Sequence, residues 1–199
     1  GAVADLGVAD RLLARADVVA LGPGLGQGAW GRGLFDAVLA CERPRVLDAD
    51  ALNLLAASAA RLTPVDVITP HPGEAARLLG TDIAGIQRDR FAAAQALCER
   101  IGATVVLKGA GSVVASAGMP PAVICAGNPG MAVGGMGDLL TGCIAALRAQ
   151  GLGARDAAIA GALLHAVAGD AAARDDGERG LLPSDLLPRM RRLANPMRR

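Results

Sequence analysis

Ala122-Val123-Ile124-Cys125 runs through Ala126 into Gly127-Asn128-Pro129-Gly130-Met131-Ala132-Val133-Gly134-Gly135-Met136-Gly137-Asp138, and an apolar stretch over 139–149 follows. The three parts read as a strand, a glycine-rich turn and a helix. A turn of this kind leaves free backbone N–H groups at the positive end of the helix dipole, which suits a phosphate. The acid that closes the turn, Asp138, is costly beside phosphate oxygens unless it accepts a proton or holds a metal. Strand, turn and helix recur along the chain, and that recurrence decides the fold class.

Upstream, residues 17–21 read as a short strand entering Gly22-Pro23-Gly24-Leu25-Gly26-Gln27, with a helix over 30–40. The residues alone leave two readings of this turn: close approach of backbone to a ligand, or glycines that only supply unusual dihedrals. The strand 45–47 delivers Asp48-Ala49-Asp50. Asp50 is expected to cap a helix over 51–60, and Asp48 to be the functional acid at the strand's end. Residues 65–68 lead into Thr69-Pro70-His71-Pro72-Gly73-Glu74, where two prolines hold His71 in an extended turn. Its place at the same sheet edge favours a ligand contact, and Glu74 suits a first helical turn.

A helix over 86–101 is expected from apolar spacing, with Phe91, Ala94, Leu97, Cys98 and Ile101 in the core. The buried strand 104–107 ends in Lys108-Gly109-Ala110-Gly111-Ser112, a loop of small residues that lets amides and an ammonium face a phosphate together. Its spacing is not that of a P-loop. Two more strands are expected at 113–115 and 122–125, and helices at 155–173 and 182–193, the last capped by Pro183-Ser184-Asp185. Residues 1–15 read as a helical lead-in and 189–199 as a solvated basic end. Strands alternating with helices give an α/β fold, a mostly parallel sheet covered on both faces.

Composition narrows the function. With 199 residues the chain suits one domain, and 52% hydrophobic but 2% aromatic residues mean a core of Ala, Leu and Val. A net charge of +1 gives no field for drawing in nucleic acid. Cys41, Cys98, Cys125 and Cys143 are widely spaced and are expected to be small buried thiols of a reducing compartment. The apolar run 157–169 is shorter than the roughly 20 residues a bilayer span needs, and no signal peptide is visible, so a cytoplasmic protein is expected. Of the 20 basic residues only Lys108 is a lysine. Either chance spared it, or a compact ammonium is wanted there rather than a planar fork.

Five motifs stand in a single order: GPGLG at 22–26, DADALN at 48–53, TPHPGE at 69–74, LKGAGS at 107–112 and GNPGMAVGGMGD at 127–138. Together they resemble the ADP/ATP-dependent NAD(P)H-hydrate dehydratase family, a branch of the ribokinase-like superfamily, and the likeness extends to 164–170 and 180–187. The resemblance implies a ribokinase-like domain over 1–199 that repairs the S-epimers of NADHX and NADPHX. ADP, or ATP in the eukaryotic branch, supplies a phosphoryl group, and water is in effect eliminated. It implies Asp138 as the base near the substrate hydroxyl. Gly26, His71 and Asp138 would contact the hydrate, supported by Asn128. Lys108, Gly109, Ala110, Gly111, Ser112 and Gly137 would hold the nucleotide, and the amides of Gly135, Met136 and Gly137 would form the anion hole. Magnesium is expected with the nucleotide, although no all-protein site for it is visible, and relatives form symmetric assemblies, so a homotetramer is expected.

Two departures stand out. Met136 occupies a position where many relatives have threonine. Family members usually carry more sequence before GPGLG, so the sheet is expected to lack N-terminal strands, and the epimerase domain that often precedes this one is absent from these residues. A small-molecule kinase of the same superfamily and a non-catalytic nucleotide-binding fragment are the alternatives. TPHPGE and DADALN favour the dehydratase.

Overall fold

Branched aliphatic residues concentrate in six short strands: β1 (Val19–Leu21), β2 (Arg45–Leu47), β3 (Val67–Ile68), β4 (Thr104–Leu107), β5 (Ser112–Ser116) and β6 (Met119–Ile124). The computed structural model describes residues 6–195, and the outermost parts of the expected lead-in and basic end lie outside them. The strands form one sheet in the order β1-β2-β3-β4-β5-β6. β1 to β4 are mutually parallel, whereas β5 and β6 are joined antiparallel. The carboxyl ends of β1 to β4 and of β6 therefore open on one edge, and all five motif loops gather there.

Side-chain alternation divides the core in two. Leu47, Ile68, Val105, Leu107 and Val113 meet the buried faces of the helices α2 (Ala29–Ala40), α3 (Ala49–Ala56), α4 (Pro72–Leu79), α5 (Ile83–Arg88) and α6 (Arg90–Ile101). The preceding helix α1 (Leu6–Arg15) adds Leu13 to that cluster. Val46, Val67, Val106 and Val114 face the other way, against α7 (Met136–Ala149) and α8 (Ala154–Asp176). Ala157, Ala158 and Ala162 are small enough for α8 to lie close to the sheet. Helix α9 (Pro183–Leu193) closes a third cluster through Leu186 and Met190, which pack with Met136, Ala168 and Ala172. At the edge opposite the loops, buried Asp66 accepts from the Arg45 backbone N and Nε at 3.0 and 3.1 Å, and from the Thr63 N and Oγ1 at 2.9 and 2.8 Å. A charge buried this deeply is tolerated because its oxygens are satisfied.

Several expectations are corrected. The helix expected over 86–101 breaks at Asp89, whose Oδ1 accepts from Ala92 N at 2.9 Å and starts α6 afresh. The buried stripe of α6, formed by Ala93, Ala94, Leu97, Cys98 and Ile101, runs back to Arg90 at helical spacing. Phe91 lies at the margin of that stripe and is 50% exposed rather than in the core. Asp50 does not cap the helix after β2. That helix starts at Ala49 with Asp48 in the cap position, and Asp50 turns its carboxylate to the Gly26 amide. The helix also ends at Ala56 rather than at residue 60, where Ser58 Oγ donates to Leu55 O at 2.9 Å. Helix α7 begins at Met136, so Asp138 lies inside its first turn rather than ahead of it. At α9 the expected Pro183-Ser184-Asp185 start is present, with Asp185 accepting from Leu182 N at 2.8 Å. The four cysteines are free, but only Cys98 is buried and Cys125 is exposed.

Candidate functional site

The site is built outward from Lys108, which leaves the end of β4. Its Nζ donates to Asp48 Oδ1 at 2.7 Å, and Glu74 Oε2 lies 3.9 Å away. Asp48 is 1% exposed. Its second oxygen accepts from Thr141 Oγ1 at 3.0 Å, and Thr141 meets Thr69 Oγ1 at 3.3 Å. Ala49, at φ +48°, makes the tight turn that lets Asp48 point inward while Asp50 points to the GPGLG loop. The Lys108 side chain is only 21% exposed, so the ammonium is held at a fixed place rather than left to solvent.

Helix α7 starts directly against that ammonium. A Cβ added at Gly137 would lie 3.1 Å from Lys108 Nζ and 3.3 Å from Asp48 Oδ2. Gly135, at φ +88°, occupies the cap position. Met136 N donates weakly to Val133 O at 3.4 Å, and the first-turn amides of Gly137 and Asp138 have no acceptor within the helix. Ammonium, free amides and the positive helix end thus converge. Beside them opens a cleft of about 980 Å³, lined on one side by Lys108 to Ser112 and on the other by Asn128, Met136 and Gly137. Apolar residues such as Ile124, Ala162 and Ala166 form its floor.

His71 also lines this cleft. It caps α4, with Nδ1 accepting from Gly73 N at 2.9 Å, while its own N–H donates to Glu74 Oε2 at 2.7 Å. The imidazole is half exposed, with Nε2 3.4 Å from Glu74 Oε1. Asn128 is oriented by Asp170 of α8, which accepts from Asn128 Nδ2 at 3.0 Å and from Gly127 N at 2.9 Å.

Two expected site residues stand apart from the cleft walls. Gly26 donates to Asp50 Oδ2 at 2.9 Å, and Gln27 Nε2 donates to Oδ1 at 3.1 Å. The Gly26 and Gln27 bonds hold the Asp50 carboxyl below its usual range. Asp138 is exposed on the outer side of the α7 turn, and its carboxylate has no hydrogen-bond or ion-pair partner among the described residues. It is free to meet a substrate group arriving from solvent.

The residues missed by reading the sequence are second partners. Thr141 lies one helical turn beyond Gly137 and Asp138, a spacing that puts it on the same end of α7. Asp170 and His165 fall within the 164–170 stretch already included in the likeness, but no role was expected for either. His165 sits behind Met136 with 8% exposure, and its Nε2 is buried without a partner. Burial lowers its pKa to about 4; a backbone hydrogen bond with Met136 opposes this and the Lys108 charge adds to it. The imidazole is neutral at pH 7.

Comparison with known proteins gives a consistent result. A family model described as NAD(P)H-hydrate dehydratase matches residues 4–192. The bifunctional NAD(P)H-hydrate repair enzyme Nnr of Coxiella burnetii is 50% identical over 185 residues, covering 93% of this chain and 38% of that protein. The chain therefore spans little more than a third of such bifunctional relatives. The ADP-dependent (S)-NAD(P)H-hydrate dehydratase of Neisseria meningitidis is 44% identical, covering 96% of this chain and 68% of its own length. Among solved structures, a ribokinase-like superfamily protein from Enterococcus faecalis superposes with a TM-score of 0.82 at 33% identity, covering 96% of this chain and 68% of that one. The Bacillus subtilis ADP/ATP-dependent NAD(P)H-hydrate dehydratase, co-crystallized with ATP/Mg2+, gives 0.78 at 29% identity, covering 92% and 69%.

Proposed function

Because the chain belongs to the NAD(P)H-hydrate dehydratase family, we propose that it dehydrates the S-epimers of NADHX and NADPHX with ADP as phosphoryl donor, releasing NAD(P)H, AMP and phosphate. The observation that carries the reading is the meeting of the only lysine with the open amides of α7, the Lys108 ammonium lying 3.1 Å from where a Gly137 Cβ would be. Hydroxide leaves a carbon poorly, and a phosphate ester at the same carbon leaves far more readily. The residues' task is to align phosphoryl group and hydroxyl and to neutralise charge.

In this reading the amides of Gly137 and Asp138 and the Lys108 ammonium bind the transferred phosphoryl oxygens, with Gly135 and Met136 shaping the turn. The loop from Gly109 to Ser112 holds the rest of the nucleotide. Gly26, His71 and Asn128 contact the hydrate, and Asp138 takes the hydroxyl proton as the oxygen attacks phosphorus. AMP leaves. The ring nitrogen's lone pair then expels phosphate, and loss of a proton from the neighbouring carbon restores the double bond.

Magnesium is expected on the nucleotide's phosphates. Among the described residues no group of three His, Cys, Asp or Glu is placed to hold a metal, and the carboxylates nearest Lys108 are already engaged, Asp48 by Lys108 and Thr141 and Glu74 by His71. A resident, protein-caged ion does not fit this donor set. Magnesium that arrives with substrate phosphates and keeps its own waters needs no such cage. Assembly into a homotetramer belongs to the same proposal, and sedimentation of the purified chain checks it. No described helix is long and apolar enough to cross a membrane.

The test is turnover of NADHX with ADP, followed at the reduced-nicotinamide absorbance, in the native chain and in Asp138→Asn. The substitution should abolish turnover while AMP binding persists. Unchanged turnover in Asp138→Asn would remove Asp138 from the role of base.

A further inference from the structure

Arg90 belongs to none of the five motifs, and it does not line the cleft, yet it governs the shape of the loop that does. It is the first residue of α6, placed at the centre of that helix's inward stripe by the Asp89 cap. Its guanidinium reaches the last residue of β4 and two residues of the loop that follows. Nη2 donates to Leu107 O at 3.1 Å and to Lys108 O at 3.3 Å, and Nη1 donates to Ala110 O at 2.5 Å. One planar fork satisfies three carbonyls, which an ammonium at the same place cannot do in that geometry.

Pinning those carbonyls has a consequence on the opposite side. In a trans peptide the C=O and N–H point in opposite directions. Drawing the Lys108 and Ala110 carbonyls onto Arg90 therefore turns the amides of Gly109 and Gly111 away from it. The Gly109 amide is held loosely by Ser112 Oγ at 3.3 Å, whose hydroxyl in turn donates to Gly109 O at 3.2 Å. The Gly111 amide has no acceptor among the described residues. A carbonyl bonded to a cation also polarises its peptide, which strengthens the N–H as a donor. The loop lies so close to the guanidinium that a Cβ at Gly109, where φ is +149°, would sit 2.8 Å from Arg90 Nη2. A side chain there would strain the backbone and push the guanidinium off its carbonyls.

We propose that Arg90 is a positioning residue for the adenine nucleotide: its guanidinium holds the loop from Gly109 to Ser112 in the one conformation that presents the Gly109 and Gly111 amides to the ligand. The proposal rests on reading this loop as the nucleotide loop. Arg90 itself touches no substrate and takes no part in proton transfer.

The test measures AMP affinity by calorimetry and the KM values for ADP and NADHX in the full chain, in Arg90→Lys and in Arg90→Ala. Arg90→Lys retains charge and stem but not the fork. Both variants should bind AMP about tenfold more weakly, a loss of about 1.4 kcal/mol. The KM for ADP should rise in parallel while the KM for NADHX and the kcat at saturating ADP stay within about twofold. If Arg90→Ala does not fold, Arg90→Lys decides. Native affinity for AMP in Arg90→Lys would overturn the proposal, and so would an equal loss for both substrates, which marks a general structural defect. Absence of AMP binding by the unsubstituted chain would instead overturn the reading of the loop, and the proposal with it, before any variant is compared.

Discussion

Gly137 is the residue at which the start of α7 comes closest to Lys108 and Asp48. It stands in the first turn of α7, where alanine would ordinarily stabilise a helix by about 1 kcal/mol. Here a methyl group would press on the Lys108 ammonium at 3.1 Å and on Asp48 Oδ2 at 3.3 Å. The ammonium would have to shift against its bond to Asp48, a displacement of a few tenths of an ångström that leaves the backbone in place. Gly137→Ala is therefore expected to keep its melting temperature within a few degrees and to lose AMP affinity by about tenfold or more, a separation that thermal unfolding and calorimetry check together. Lys108 also shows what could be read without coordinates. Its singularity in an arginine-rich chain marked it, but the partner that fixes it, Asp48, is 60 positions away. Distance along the chain hid the ion pair, and Thr141 and Asp170 were hidden for the same reason.

At the scale of elements, the helix and strand types were legible and their ends were not. Apolar periodicity located α6, but the break before it depends on a single carboxylate, that of Asp89, choosing the Ala92 amide. Asp89→Ala should cost about 1 kcal/mol of stability, visible as a lower denaturant midpoint with an unchanged slope. Because the cap also sets the phase of Arg90, the same substitution should weaken AMP binding measurably. The Asp50 cap failed for a comparable reason. Ala49 turns through positive φ, so the helix starts one residue before Asp50 and frees its side chain for Gly26. Such a turn leaves no trace in residue type.

For the molecule as a whole, the order of the five loops is the property that sequence expressed most fully. Four parallel strands, with β6 aligned alongside them after the antiparallel β5, carry all five loops to one edge, as strand–loop–helix repetition requires. What the repetition could not express is the depth at which His165 is buried behind the α7 turn. Its pKa is lowered to about 4, below the ordinary value of about 6.5, so the unfolded chain binds the proton more readily. Stability contributed by neutral His165 is thus complete above about pH 6.5 and lost as pH falls toward about 4, by an amount on the order of 3 kcal/mol. Urea unfolding between pH 7 and pH 4.5 should show this decline, and His165→Gln should flatten it. An equal decline in both proteins would assign the acid sensitivity elsewhere.

One stoichiometry decides the proposed reaction. When the 199-residue chain is given NADHX and ADP, restored NADH, AMP and phosphate should appear in equal amounts, with no NADH formed when ADP is withheld. ADP consumed with accumulation of a stable phosphorylated product, or NADH restored without AMP, would contradict it.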